Sequence, residues 1–129
     1  MKFTAEDIKD KELLSQLVKE EAARIFESER ARKGRTYEQI EKSVYQGKVA
    51  ELFLIENHGY LPADRKYHDL KDLEGNYIEV KAYRNASLES SYVKEDLSRI
   101  KTGGWNDSKY YILFSFKEGV YELVEKINI

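Results

Sequence analysis

The chain has 129 residues, 41% of them hydrophobic and 12% aromatic, with 22 basic and 24 acidic side chains and a formal net charge of −2. That composition excludes a disordered chain, and the lack of any apolar run near 18 residues excludes a membrane-spanning helix. With no cysteine, disulfides and thiolate metal sites are excluded as well.

The length suits one domain with a single core. Met1 to Asp7 hold no apolar stretch of the signal-peptide type, so a cytoplasmic protein is expected. Thr4 can cap a first helix, with Asp7 at the third position and a Phe3–Ile8 staple. Leu13, Leu14, Leu17, Val18, Ala22 and Ile25 then recur at helical spacing. This helical region runs to about Arg32, with a possible break near Asp10, and Lys33-Gly34-Arg35 ends it. Thr36 and Gln39 form a second capping box, opening a helix to about Asn57 that Gly59 and Pro62 stop. Residues 1–35 thus read as an N-terminal helical region and 36–129 as the core.

Strands follow. Lys66 to Lys71 and Tyr77 to Tyr83 make a hairpin. Ser91 to Lys101 is a helix with Val93, Leu97 and Ile100 on one stripe. Thr102 to Asp107 is a loop. Tyr110 to Phe116 is the most apolar segment, hence a central strand. Lys117-Glu-Gly119 is a turn, and Val120 to Val124 a last strand. The helix between Tyr83 and Tyr110 implies that the two strands it joins are parallel. The expected fold is α/β of the mixed α+β kind: a central mixed sheet of about four strands flanked by helices.

The hairpin carries the chemistry. A three-residue loop, Leu73-Glu74-Gly75, with Gly75 left-handed, sets the pairs 72:76, 71:77, 70:78 and 69:79. Asp69 then faces Glu79 with Cβ atoms roughly 5 Å apart. Strands alternate faces, so Glu79 and Lys81 point one way and Ile78, Val80 and Ala82 the other. Two carboxylates that close repel unless a cation lies between them, and a lysine one step on completes a site suited to phosphate. The tripeptide Asp/Glu-x-Lys is weak alone, since it recurs at Asp7, Asp64, Asp69 and Asp107. What sets Glu79-Val80-Lys81 apart is its β-type run, the second acid at hairpin distance and the glycine turn between them. A solvated ladder of salt bridges on a half-exposed hairpin is the plainer alternative.

Asp69, Glu79-Val80-Lys81 and the order helix, strand, motif strand, helix, strand resemble the PD-(D/E)XK nuclease superfamily over roughly residues 44 to 124. His68 stands where many members have proline. The resemblance implies a restriction-endonuclease-like core with metal-dependent phosphodiester hydrolysis, most often of DNA, by a small endonuclease. Asp69, Glu79 and the Val80 carbonyl would hold Mg²⁺ or Mn²⁺, and Lys81 would handle the attacking water or the phosphate. Glu51, on the helix before the motif strands, matches the extra acidic ligand many members place there, with Glu56 as its rival and Gly47 one turn earlier on its face. An oxygen-only donor set favours Mg²⁺ or Mn²⁺ over Zn²⁺.

A net charge of −2 is low for a stand-alone nucleic-acid binder. Charge is local, however. Arg30, Arg32, Lys33 and Arg35 form one basic cluster, and Arg84, Lys94, Arg99 and Lys101 follow the motif. Trp105 is the best stacking candidate among the aromatic residues. The core occupies nearly the whole chain, so recognition would come from loops, a homodimer or a partner protein. His58 and His68 read as solvated or structural histidines, and Asp72 and Glu74 as turn residues. The competing class is a non-catalytic α/β binding or adaptor module; an RNase of the same fold lies within the enzyme class.

Overall fold

The computed structural model describes residues 1–63, 69–102 and 107–129. Its helices begin where side chains can satisfy their first N–H groups. Thr4 and Asp7 form the expected capping box, with Thr4 N–H donating to Asp7 Oδ2 at 2.8 Å. The turn it opens is only a 3₁₀ turn, Ala5–Asp7. The first long helix, α1 (Lys11–Glu27), is capped by Asp10, whose Oδ1 accepts from Leu13 N–H at 2.9 Å. The helical region is thus interrupted before Asp10, at the expected break. The break is held from outside, because Glu56 accepts from both Lys9 N–H and Asp10 N–H, at 2.7 and 2.9 Å. Backbone donors engaged by a distant carboxylate are not free to join a helix.

Ser28 caps the short α2 (Glu29–Arg32), and Lys33 ends it in the left-handed conformation. Thr36 and Gln39 form the second capping box and open α3 (Tyr37–His58), which Gly59 ends with φ 74°. Two of the four residues of the basic cluster here serve the chain itself. Arg35 donates to the Arg32 and Ala31 carbonyls, and Arg32 packs over the Phe26 ring.

Among the described residues the sheet has six strands, not about four: β1 (Lys2–Thr4), β2 (Leu61–Pro62), β3 (Leu70–Lys71), β4 (Tyr77–Arg84), β5 (Tyr110–Lys117) and β6 (Val120–Asn128). Their order is β1-β6-β5-β4-β3-β2. The two unexpected strands hold two and three residues at the sheet edges, too short to show a period of two. Pairing alone makes them strands, Phe3 opposite Tyr121 and Pro62 opposite Leu70. Proline is tolerated there because an edge position need not donate inward. β4 and β5 are parallel, from Ile78 opposite Tyr110 to Arg84 opposite Phe116, and the other pairs are antiparallel. The last strand runs to Asn128 rather than Val124, and its register shifts between Leu113 and Phe114.

α4 (Ser91–Thr102) crosses over between the two parallel strands. Alternation then divides the core. Leu14, Val18, Val49, Leu52 and Leu54 of α1 and α3 pack with Ile78, Val80, Ile112 and Phe114 on one face of the sheet. Val93, Leu97 and Ile100 of α4 pack with Tyr83, Tyr111 and Leu113 on the other. Phe3 ties the edge strand to this core, stacked on Phe53 and Tyr121 and edge-on to Phe114. Among the described residues, no helix is long and apolar enough to cross a membrane.

Candidate active site

The hairpin turn sets the site. Asp72 N–H donates to the Asn76 carbonyl at 2.9 Å, and Gly75 sits at φ 86°. The Asp72 carboxylate accepts from the N–H groups of Glu74 and Asn76 and from the Asn76 amide, so Asp72 is a turn residue. Leu70 pairs with Ile78 and Lys71 with Tyr77, the register that the turn chemistry implies. Asp69 lies just before β3, whose described pairs are these two. Asp69 Oδ2 accepts from Val80 N–H at 2.8 Å.

Glu79 is buried, 8% exposed, on the face opposite Ile78 and Val80. Its carboxyl is pushed up to about 8, first by burial and then by the charge of Asp69, with which it also shares a hydrogen bond. Lys81, two residues on and half-buried, pulls the other way, as does Ser108, whose Oγ donates to Glu79 Oε1 at 3.4 Å. Glu51 reaches the same aspartate from α3. Its side chain is 14% exposed and ion-paired to Lys48 at 3.5 Å. It too is pushed up to about 8, first by burial and then by Asp69.

Asp69 therefore acts on two buried carboxyls, one from β4 and one from α3. Among the described residues, no group of three or more carboxylate or imidazole side chains stands gathered as a finished metal site. Asp69 hydrogen-bonds Glu79 and acts on Glu51 through its charge, and one of its oxygens is held by Val80 N–H. The donor chemistry nonetheless fits a hard divalent cation: oxygen ligands only, carboxylates taken out of water, and mutual repulsion that a cation would relieve. A cleft of about 510 Å³ opens on Asp69 and Glu51, walled by Leu13, Leu17, Leu52, Ile55, Pro62 and Leu70, with Glu21, Arg24 and Lys48 on the helical side.

The remaining expected site residues separate. Arg84, Lys94, Arg99 and Lys101 are exposed at the end of β4 and along α4. Lys94 pairs loosely with Glu89, both well exposed. Trp105 and His68, the hairpin residues Lys66 to His68 and the Asp64-Arg-Lys66 repeat of the tripeptide lie outside the described residues. Glu56 holds the break before α1, so it is no rival to Glu51. His58 ends α3 with its ring tilted against Phe53. A Cβ on Gly47 would meet nothing within 4 Å, so no close approach requires glycine there.

Three participants escape sequence reasoning. Lys48 carried a signal, its i, i+3 spacing to Glu51 on one helix face. Ser108 carried none, because it arrives from a loop. Asp96 lay on the Val93–Leu97–Ile100 stripe and is buried there, 4% exposed. It accepts from Tyr83 Oη, Tyr111 Oη and Arg99. Burial and the Asp96 charge hold both phenols above their ordinary range. This hub anchors α4 to the sheet face that carries Glu79 and Lys81. Asp96→Ala is expected to cost about 2–4 kcal/mol, because it strands the buried Tyr111 hydroxyl and the half-buried Tyr83 hydroxyl, and Tyr83→Phe only about 1 kcal/mol. Urea unfolding of both variants measures the difference; equal, small losses would show that the hub adds little.

The sequence matches no protein-family model, and no curated protein matches it.

Proposed function

We propose that the protein hydrolyses phosphodiester bonds of nucleic acid with the help of Mg²⁺ or Mn²⁺, as a small DNA endonuclease with a PD-(D/E)XK-type, restriction-endonuclease-like core. One observation carries this: Asp69 hydrogen-bonds the buried Glu79 carboxyl and lines one cleft with Glu51, with Lys81 two residues past Glu79 on the same face of β4. Gathering carboxyls out of water is costly even with Lys48 and Ser108 as partners, which is the arrangement a cation site tolerates. A perturbed carboxyl lining a cleft, as Glu51 does, is a signature of function.

Asp69 and Glu79 would be the ligands, with the Val80 carbonyl between them and Glu51 holding a second ion or its water. The ion, when bound, would supply charge neutralisation at the phosphate and an acidified water. Lys81 would orient that water and donate to the phosphate oxygen that gains charge. Arg84, Lys94, Arg99 and Lys101 lie at the end of β4 and on α4, the layer over Lys81, where a polyanion's flanking phosphates would be held. Arg99 would do so only in part, since Asp96 already engages it. A homodimer or a recognition partner would supply the remaining specificity.

Supercoiled plasmid, linear DNA and structured RNA, each with Mg²⁺, Mn²⁺ or EDTA, test the activity directly. Asp69→Asn and Glu79→Gln are expected to weaken Mn²⁺ binding at least tenfold, a lost charged ligand contact of more than about 1.4 kcal/mol each. An unchanged Mn²⁺ titration would remove them from the ligand set. The absence of a gathered set of three acidic or imidazole ligands among the described residues favours a second possibility, a non-catalytic α/β adaptor module. That module would show neither cleavage nor a metal response.

A further inference from the structure

We infer that Lys48 is the built-in counter-cation of this site: it pairs with Glu51 while the carboxylates lack a divalent ion, and Glu21 offers it a second partner when the ion arrives. This rests on the metal-site assignment of Asp69 and Glu51. Lys48 and Glu51 sit three residues apart on one face of α3, with Nζ 3.5 Å from Oε1. Their side chains are only 24% and 14% exposed, so the pair is shielded from water. An exposed pair would be worth little, whereas a shielded carboxylate left unpaired is costly.

Glu21 faces the same cleft from α1. Arg24 Nε donates to Glu21 Oε2 at 3.3 Å, and Arg24 Nη2 to Oε1. Those hydrogen bonds hold the Glu21 carboxyl below its ordinary range, and the Lys48 charge adds to the lowering. Lys48 thus acts on two carboxylates, Glu51 beside it and Glu21 on the neighbouring helix. Its flexible stem can serve either. A divalent ion shared by Asp69 and Glu51 would place two further positive charges beside Nζ. Metal binding and the Lys48–Glu51 pair therefore compete.

The direction of the effect follows. Lys48 Nζ lies 3.5 Å from Glu51 Oε1, so removing it takes one positive charge from beside the ion's place and metal binding tightens.

Calorimetric titration with Mn²⁺ alone at pH 8, on wild type, Lys48→Met and Lys48→Arg, is the test. Lys48→Met is expected to bind Mn²⁺ roughly three- to tenfold more tightly, and Lys48→Arg close to wild type. A merely structural lysine would give weaker binding when replaced, and an irrelevant one no change; either result overturns the inference. Should Lys48→Met fail to fold by circular dichroism, Lys48→Gln carries the same comparison. Wild type that binds no Mn²⁺ overturns the metal site and this inference together. Wild-type binding with an unaltered uncharged variant overturns the inference alone.

Discussion

Lys81→Ala is expected to lower metal-dependent cleavage by roughly 10²–10⁴-fold while Mn²⁺ binding persists. The size follows from placement. Lys81 lies on a strand whose backbone is paired along β5, opposite Leu113, so its stem starts from a rigid point. It follows Glu79 on the same face, and its charge acts on the Glu79 carboxyl. A cation fixed there can donate where charge develops on the phosphate, and no other described lysine shares that strand face. Metal affinity should rise slightly or stay level, because Lys81 is no ligand. Single-turnover cleavage beside a Mn²⁺ titration separates the two effects. Full turnover in Lys81→Ala would reject the catalytic role, and loss of metal binding would move Lys81 into a structural one.

Without divalent ions, the protein is expected to lose stability as pH rises from about 5 to about 8. Glu51 and Glu79 have an ordinary value of 4.5 and are each pushed up to about 8 in the folded chain. Between those values the folded state holds more protons than the unfolded one. Raising the pH therefore favours unfolding, and the loss levels off once both carboxyls are ionised. The two groups share Asp69, so their effects do not simply add. A total on the order of 3 kcal/mol is expected. Mn²⁺ should restore most of it at pH 8, where the carboxylates are charged, and little at pH 5. Glu79→Gln should flatten the apo profile, since an amide stays neutral across the window. Chemical unfolding at pH 5, 6.5 and 8, with Mn²⁺ or EDTA, gives the answer. A flat apo profile would mean that these carboxyls ionise freely in the folded chain, which would remove the main support for the cation site.

The two expectations share a cause. A cluster that repels itself is tolerable only with protons, Lys48 and Lys81, or a metal among its members. In the apo protein the two lysines and retained protons take that part.

Much of this was legible in the sequence because it is local. The Asp72–Gly75–Asn76 turn dictates the hairpin register through one left-handed residue and one carboxylate, so Leu70 meets Ile78 and Asp69 comes up beside Glu79. The capping residues Thr4, Thr36 and Gln39 act within one turn. The apolar stripe of α4 and the alternation of β4 each follow from a single period.

Local pattern thus accounts for the order of the long elements, the parallel β4–β5 pair and the nearness of Asp69 to Glu79. The tertiary structure alone decided the rest. Lys2–Thr4 and Leu61–Pro62 become strands only because β6 and β3 offer them partners. Asp10 rather than Thr4 starts α1 because Glu56, 46 residues away, takes its N–H. Ser108 and Asp96 meet Glu79, Tyr83 and Tyr111 only through contacts between separate elements. The strong shifts of Glu51 and Glu79 arise from burial by those layers and from one shared aspartate. Desolvation and charge coupling depend on distances through space, which no local pattern of residues encodes.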